Sequence, residues 1–198
     1  IQKLDPNGNL IWAKSMGGTD GDNGSSINID ISGNIYTTGW FHSTVDFDPG
    51  VDTLYLTSVI NSKDIFIQKL DPNGNFLWAK SMGGISYDEG SSITTDASGN
   101  VYTTGWFSGI ADFDPDAGTF NLTSAGNSDI FIQKLVPCFP SYNTDTQTAC
   151  DSYTSLSGVY IWDSTGTYYD TIPNVAGCDS NITINLTINH SNTGTDTV

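Results

Sequence analysis

The chain has 198 residues, and its 22 acidic residues stand against six lysines and no arginine, which gives a formal net charge of −16. A surface of this sign repels phosphate groups, and arginine is the side chain that most often binds them. The composition therefore excludes nucleic-acid binding and docking on anionic lipid, and it favours divalent cations as partners. No apolar run reaches the ~18 residues of a membrane-spanning helix, so we expect no membrane insertion.

The strand signals of the chain are short segments rich in β-branched and aromatic residues, separated by turn sequences. In chain order they include IQKL at 1–4, LIWAK at 10–14, DIFIQKL at 64–70, FLWAKSM at 76–82, SSITTD at 91–96, VYTTGWF at 101–107, TFNLTS at 119–124 and a second DIFIQKL at 129–135. The DPNGN, ISGN and ASGN segments place glycine where a tight reversal needs a positive φ, so each joins two antiparallel strands. The sequence predicts an all-β fold.

The strand signals belong to an internal repeat. Residues 1–14 (IQKLDPNGNLIWAK) return almost unchanged at 67–80, and IQKL returns once more at 132–135. Trp12 recurs 66 positions later as Trp78, and Trp40 recurs as Trp106 at the same spacing. Self-similarity at a fixed period is typical of architectures in which each unit packs on its neighbours. We therefore expect two 66-residue repeats with partial copies.

The DIFIQKL strand indicates how the repeats pack. Ile65, Phe66 and Ile67 are consecutive apolar residues, and a strand with one solvated face would alternate instead. A small four-stranded sheet packed between two like sheets meets this requirement, which is the blade of a β-propeller, and a stacked β-solenoid is the alternative. Residues 25–81 make one full blade, so this number of repeats cannot close a ring alone. Because the sequence also opens inside a strand motif, we expect it to be a piece of a longer protein.

The chain is predicted to divide into repeats at 1–135 and a small β-sandwich-like module at 136–198. The second part contains Cys150 and Cys178, and we predict a disulfide between them, with two reduced buried thiols as the alternative. Cys138 is left over, and the sequence does not choose among a free thiol, an intermolecular bridge and a place in the predicted disulfide.

The phrases VDFDPG, DIFIQKLDPNGNFLWAKSMGG and SGNVYTTGWF resemble the SBBP-type β-propeller repeats of large secreted proteins from Bacteroidetes-like bacteria. The resemblance covers residues 1–135 and implies an architecture but no single activity. The segments ACDSYT, GTYYDTI and AGCDSNITINLTI resemble the small Cys-containing β modules of proteins exported by the type IX secretion pathway. This second resemblance implies export to the cell surface.

One pair of acidic motifs is a candidate calcium site. Asp46 and Asp48 recur as Asp112 and Asp114. Carboxylates at positions i and i+2 of an extended strand point the same way, so they can hold a hard cation together with loop carbonyls. The alternative is that each aspartate caps a turn, which the proline after the second aspartate favours.

A second candidate calcium loop is the segment DGDNG, with Asp20 and Asp22, whose counterpart in the next repeat is SYDEG, with Asp88. The segment lacks the terminal glutamate of the EF-hand pattern, and the second copy lacks the counterpart of Asp20. A polar loop before a strand explains the same residues.

No catalytic constellation is visible. His42 and His190 are the two histidines, and neither belongs to a recognisable triad or nucleophile elbow. The acidic pairs and tryptophans recur once per repeat, whereas catalytic sites are normally single, so we expect no enzyme and interpret Trp12, Trp40, Trp78 and Trp106 as inter-blade core.

The expected function is that of an extracellular structural or adhesive surface protein, such as a fibre or sheath component, whose partners are other copies of itself or other surface proteins. The alternative is a carbohydrate- or protein-binding propeller module of a larger secreted protein, in which loop residues bind the ligand. A calcium-dependent enzyme is a third hypothesis, which a single acidic cleft with strongly shifted carboxylates would favour.

Overall fold

The computed structural model of the chain describes residues 1–59, 62–116, 118–136, 141–173 and 179–191. These residues form nineteen β-strands and no helix, so the predicted all-β fold is confirmed. Within the described ranges, accordingly, no helix has the length and apolarity needed to cross a membrane. The chain divides into two compact units, Ile1–Val136 and Pro137–Val198.

The first unit consists of fourteen strands. They are β1 (Gln2–Leu4), β2 (Leu10–Ala13), β3 (Gly17–Gly18), β4 (Asn23–Ile29), β5 (Ile35–His42), β6 (Thr44–Asp46), β7 (Tyr55–Thr57), β8 (Lys63–Leu70), β9 (Phe76–Gly84), β10 (Glu89–Thr95), β11 (Val101–Phe107), β12 (Ile110–Asp112), β13 (Asn121–Thr123) and β14 (Asp129–Leu135).

The central blade consists of β4, β5, β8 and β9, which lie side by side in that order and are antiparallel. In its third strand, β8, Ile65, Phe66 and Ile67 are all buried. Successive side chains of a strand point to opposite faces of the sheet. Both faces of the central blade are therefore covered at β8, as the apolar run of the sequence predicts.

Four hairpin turns share the pattern Asp-x-x-Gly-Asn. Between β8 and β9, Asp71 Oδ1 accepts hydrogen bonds from the backbone N–H groups of Asn73 and Asn75, each at 2.8 Å, and Oδ2 accepts one from Asn75 Nδ2 at 2.8 Å. Gly74 has a φ of 79°, which glycine adopts without steric cost. The aspartates of the three other turns, which make the same bonds, are Asp5, Asp30 and Asp96. The predicted hairpins are confirmed.

Partial blades flank the central blade. The N-terminal hairpin, β1 and β2, corresponds in sequence to β8 and β9, the third and fourth strands of the central blade. The following blade, β10, β11 and β14, corresponds to the first three strands, β4, β5 and β8. We call the contact between the N-terminal hairpin and the central blade the first junction, and the contact between the central and following blades the second junction.

Short strands fasten each blade to the next. Gly83 and Gly84 at the end of β9 pair with β12, which pairs with β13, so these strands extend the central blade into a six-stranded sheet. At the first junction β3, β6 and β7 repeat this arrangement. Because β12 and β13 connect the second and third strands of the following blade, the pairing ties that blade to the one before it.

A set of three phenylalanines fills each junction. At the first junction Phe47 lies 5.3 Å from Phe41 and 4.9 Å from Phe66, measured between ring centroids. At the second junction the set is Phe107, Phe113 and Phe131, with centroid distances of 5.2 and 4.9 Å. Both sets combine an edge-to-face pair with a tilted pair, the arrangements that aromatic quadrupoles favour. The second set packs with Ile65, Ile67, Met82 and Ile93.

The second unit has its own core. Its strands are β15 (Ser141–Cys150), β16 (Tyr153–Thr154), β17 (Ile161–Trp162), β18 (Gly166–Pro173) and β19 (Asp179–Asn189). The strand β19 lies between a parallel β15 and an antiparallel β18, while β16 and β17 form a separate hairpin. Alternate residues of β19, namely Ile182, Ile184, Leu186 and Ile188, form the core. The sandwich-like form of this unit stays a prediction.

Candidate functional site

The aspartates of the DFDP motifs accept hydrogen bonds from their own loops. Asp46 Oδ1 accepts from the backbone N–H groups of Asp48 and Leu54, both at 3.0 Å. Asp112 Oδ1 likewise accepts from the backbone N–H groups of Asp114 at 3.0 Å and Phe120 at 2.8 Å. Asp46 therefore closes the loop between β6 and β7, and Asp112 closes the loop between β12 and β13. This is the turn-capping role that the sequence analysis gives as the alternative to calcium binding.

The second aspartate of each motif also caps a turn. Asp48 Oδ1 accepts from the Gly50 N–H at 2.7 Å, and Asp114 Oδ1 accepts from the Asp116 N–H at 3.0 Å. In the part of the chain that the structure describes, no group of three or more His, Cys, Asp or Glu side chains is arranged to hold a metal ion. Calcium binding by these residues stays a prediction.

Asp22 and Asp88 connect neighbouring repeats. Asp88 Oδ2 accepts a hydrogen bond from the Gly84 N–H at 2.9 Å, and Oδ1 accepts one from the Ser108 N–H at 3.0 Å. Asp22 makes the corresponding bonds with Gly18 at 2.9 Å and His42 at 3.3 Å. Asp88 therefore connects Gly84, at the end of β9, to Ser108, which directly follows β11. Asp22 connects Gly18, at the end of β3, to His42, at the end of β5. This bridging role is absent from the sequence prediction, which treated both residues as candidate metal ligands.

Asp88 and Asp64 form an enclosed acidic pair. Both side chains are buried. Burial, with a smaller contribution from the charge of Asp64, raises the pKa of Asp88 to about 6 despite the lowering effect of the two backbone hydrogen bonds. Burial also raises the pKa of Asp64, against hydrogen bonds from Ser62 and Val59. Neither carboxylate lines the groove at the first junction, so the pair is not presented to a substrate there.

Asp20 lies near a histidine at the surface. Its Oδ2 is 3.6 Å from His42 Nδ1, and the same nitrogen lies 3.0 Å from Ser43 Oγ. A Ser-His-Asp triad needs the serine and the carboxylate on different ring nitrogens. Because both contacts use Nδ1, this arrangement does not provide a triad.

The four repeated tryptophans do not share one environment. Trp78 packs against the core of the second junction, as predicted. Trp40 is half-buried beneath Lys63, whose Nζ lies 3.6 Å from the indole centroid in a cation–π contact. Trp12 lies against the turn of the central blade, where a methyl group on Gly74 would approach its ring to 3.2 Å. Lys63 has no counterpart in the following repeat, so comparison of the two repeats gave no signal for its contact with Trp40.

Only one of the two cysteines of the predicted disulfide lies within the described residues. Cys150 ends β15 and is exposed. Cys178 and Cys138 lie outside the described residues. The pairing of Cys150 with Cys178 stays a prediction.

A groove of about 290 Å³ opens at the first junction. It is lined by the three phenylalanines of that junction, by Lys14, Ser15 and Met16 after β2, and by Asn23 and Gly24 at the start of β4. The groove therefore lies between the N-terminal hairpin and the central blade. The sequence analysis did not predict this groove.

The following blade has an uncovered apolar face. On β14, Ile130 and Ile132 are 82% and 80% exposed. Their counterparts on β8, Ile65 and Ile67, are 0% and 1% exposed because the following blade packs over them. Large exposed aliphatic side chains in a row mark a contact surface more often than chance.

The second unit contains a row of nearly parallel aromatic rings. Trp162 lies 4.5 Å from Tyr168 and 6.0 Å from Tyr160, with interplanar angles of 12° and 9°. Tyr153 lies 6.2 Å from Trp162 at 11°. Tyr153, Trp162 and Tyr168 also pack against the core of this unit, whereas Tyr160 is half exposed.

These features define an all-β repeat protein whose antiparallel blades pack face to face through repeated aromatic junctions. Residues 77–112, from β9 to β12, match the SBBP family, described as a β-propeller repeat. The resemblance to SBBP repeats is thus confirmed for this segment. A bacterial origin and the kinship of the Cys-containing module stay predictions.

A curated relative supports the repeat assignment at greater distance. The chain is 30% identical over 167 residues to an uncharacterized WD repeat-containing protein of Acanthamoeba polyphaga mimivirus. The aligned part covers 77% of this chain and 11% of that protein. The chain therefore spans about a tenth of the length of this relative.

Proposed function

We propose that the chain is a non-enzymatic protein-interaction module of an extracellular surface protein with a structural or adhesive role. The observation that carries this proposal is the recurrence of the same structural residue sets from one repeat to the next. The phenylalanine sets, the bridging aspartates and the turn aspartates all appear once per repeat or more. Residues that recur with the repeat serve the architecture, and a rigid array of blades is suited to presenting contact surfaces.

The net charge and the uncovered isoleucines support the same proposal. A charge of −16 favours solubility in a crowded surface layer and excludes phosphate-rich partners. Exposed apolar side chains on β14 are suited to protein contacts. Partners of this kind are other copies of the chain or other surface proteins.

A direct test is to locate the chain on cells of the organism that encodes it. Gold-labelled antibodies raised against the 198-residue chain should decorate the outer surface of intact cells in electron micrographs, and mild protease treatment should remove the label. Label that appears only after permeabilisation would contradict the extracellular role. A cytoplasmic protein detected in the same sections is the control for intact cells.

Calcium binding has a separate test. If the acidic loops bind calcium, the thermal unfolding midpoint of the chain should rise with millimolar calcium and fall with a chelator. The double variant Asp48→Asn and Asp114→Asn should reduce the response, because it removes one carboxylate ligand from each candidate site. An unchanged midpoint for the wild-type chain removes calcium from the proposal.

Carbohydrate binding is the alternative function, and the aromatic row of the second unit is the observation that favours it. Parallel aromatic rings offer flat apolar surfaces, and Tyr160 at the end of the row is half exposed. A glycan array probed with the chain tests this alternative. A bound glycan should be lost with Tyr160→Ala and retained with Tyr169→Ala, a variant of an exposed tyrosine that forms no ring contact with the row. No bound glycan on the array would exclude it.

A further inference from the structure

We propose that one end of the central blade carries a binding site for a neutral saccharide. The site is a group of side chains around Trp40, which we call the single-copy cluster. Its other members are Asp20, His42, Ser43, Lys63 and Tyr87. The inference goes beyond the structural role proposed above, because it gives the first unit a ligand of its own, and it is independent of the aromatic row in the second unit.

Contacts at this end of the blade bring the side chains together. Trp40 and His42 are two positions apart on β5, so they lie on the same face of the sheet. Lys63 on β8 pairs with His42 in the strand register, and its Nζ lies 3.6 Å from the ring centroid of Trp40. The same Nζ lies 5.4 Å from the ring centroid of Tyr87, in the loop between β9 and β10. Asp20, in the loop between β3 and β4, has its Oδ2 3.6 Å from His42 Nδ1. The cluster therefore joins two strands and two loops.

The members other than Trp40 do not recur in the repeat. At the spacing of 66 residues, serine takes the place of Asp20 and of His42, and glycine takes the place of Ser43. Tyr87 stands where the first repeat has a glycine, and Lys63 has no counterpart. The junction phenylalanines, the bridging aspartates and the turn aspartates are, by contrast, the same in both copies. Because residues that the architecture requires recur with the repeat, the single-copy cluster serves a different purpose.

Ser43 has a backbone conformation that favours glycine. Its φ is 63°, and Gly109 at the corresponding position of the next repeat has a φ of 67°. A residue with a side chain is strained at such a φ, whereas glycine is not. The Ser43 hydroxyl lies 3.0 Å from His42 Nδ1, within hydrogen-bonding distance. The first repeat therefore keeps a side chain that orients His42 at a position where the second repeat has glycine.

Polar groups of the cluster are left open to a ligand. Among the described residues, Lys63 Nζ contacts no carboxylate, although the chain has 22 acidic residues. Asp20 accepts no hydrogen bond from the described part of the chain, whereas Asp22, two positions away, accepts two. His42 Nε2 likewise has no partner within the described ranges. The side chains of Asp20 and His42 are 48% and 28% exposed, so a ligand can reach both.

These groups match the hydroxyl groups of a sugar. Each hydroxyl both donates and accepts hydrogen bonds, so neighbouring hydroxyls can donate to Asp20 and accept from Lys63. Tyr87 is 53% exposed and offers an aromatic surface to the apolar C–H face of a pyranose ring. The net charge of −16 repels an acidic ligand. Together these three points favour a saccharide without charged groups.

The test is an array of neutral and uronate-containing oligosaccharides probed with the 198-residue chain, followed by calorimetric titration of those that bind. At least one neutral oligosaccharide should bind. Lys63→Met keeps an apolar side chain over Trp40 but removes the ammonium group, and it should weaken binding by at least about tenfold. Asp20→Ser introduces the residue of the next repeat, which the fold accepts there, and its effect should be of similar size.

Two control variants distinguish this site from other contacts. Lys69→Met changes a lysine of the same strand whose Nζ also lies near an aromatic ring, 5.0 Å from the centroid of Tyr36, and it should bind like the wild type. Tyr160→Ala in the second unit should also bind like the wild type. Thermal unfolding of each variant separates a lost ligand contact from lost structure. Asp20→Ser should keep the wild-type midpoint, because Asp20 is half exposed and accepts no hydrogen bond from the described residues.

Three outcomes overturn the proposal. They are an array on which no neutral oligosaccharide binds, binding that Asp20→Ser leaves unchanged, and binding that is lost with Tyr160→Ala. If Lys63→Met lowers the unfolding midpoint, Asp20→Ser alone decides. These outcomes leave the surface-protein role intact, since that role is tested by labelling of intact cells.

Discussion

The two junctions of the first unit are built from the same residues but are covered to different extents. Both contain three phenylalanines in the same arrangement and a bridging aspartate. At the second junction Ile93 and Asp88 are buried, whereas their counterparts Ile27 and Asp22 are exposed or half-buried. This difference in burial shows that the environment of a repeated residue depends on the neighbouring blade. Matched variants at the two junctions measure what that neighbour contributes.

The largest difference is expected for isoleucine. Ile93→Ala should lower the free energy of unfolding by about 2–5 kcal/mol, because it leaves a cavity between two packed blades. Ile27→Ala should change it by less than about 0.5 kcal/mol, since the side chain is half exposed. Urea unfolding of dilute samples measures both values. Equal effects of the two substitutions would mean that the junctions are equally covered in solution.

A smaller difference is expected for glycine. Gly90→Ala should destabilise by about 1–3 kcal/mol, because the new methyl group collides with Thr38 Oγ1. Gly24→Ala has open space and should be neutral or slightly stabilising, as replacing glycine reduces the entropy of the unfolded chain. The same urea titrations report both. Marked destabilisation by Gly24→Ala in a monomeric sample would contradict the open first junction.

The bridging aspartates should differ in the size of their effect on stability. Asp88→Asn should destabilise by about 1–3 kcal/mol at neutral pH, because one of two buried backbone donors loses its acceptor. Asp22→Asn should have the smaller effect, since Asp22 is half-buried.

The sign of the pH effect follows from the pKa of Asp88. Burial raises this pKa to about 6 from 3.8, so the folded state binds more protons than the unfolded state between these values. The Asp88 contribution therefore grows as pH falls from about 6 towards 3.8 and is lost as pH rises through that range. Because the pKa of Asp64 is raised as well, Asp88→Asn should reduce this slope of stability against pH without abolishing it. Unfolding measured from pH 4 to 7 tests this statement.

The smallest effects are expected at the turns. Hydrogen bonds from Asn75 lower the pKa of Asp71, and hydrogen bonds from Asn9 lower the pKa of Asp5. A lowered pKa stabilises the folded state above about pH 3.8, and this stability is lost as pH falls through the folded value. Asp71→Ala should shift acid unfolding of the unit to higher pH, because Asp71 closes the central blade. Asp5→Ala should affect only the N-terminal hairpin. Circular dichroism and amide exchange at low pH distinguish the two.

Local features of the fold were predictable from the sequence because their causes are local. The Asp-x-x-Gly-Asn turns depend on bonds within five residues and on a positive φ at glycine, so DPNGN predicts the hairpin closed by Asp71. The apolar run at Ile65–Phe66–Ile67 likewise predicts a strand covered on both faces, and β8 has this environment.

The candidate site was less predictable because its contacts cross between repeats. A carboxylate before a strand suggests a metal ligand or a cap, and nothing in the segment DGDNG shows that Asp22 accepts a hydrogen bond from Gly18 and another from His42. The contact of Lys63 with Trp40 was missed for the same reason, since it depends on a single inserted residue and on pairing of β5 with β8.

The sequence by itself determined the all-β class, the repeat, the hairpin turns and the strands that need two covered faces, because strand alternation and turn geometry act over a few residues. The tertiary structure alone decided which copy of a repeated residue is buried. The segment DIFIQKL is identical in β8 and β14, yet Ile65 is buried and Ile130 is exposed. The physical reason is that the neighbouring sheet excludes solvent from a strand, and the residues of the strand do not encode whether that sheet is present.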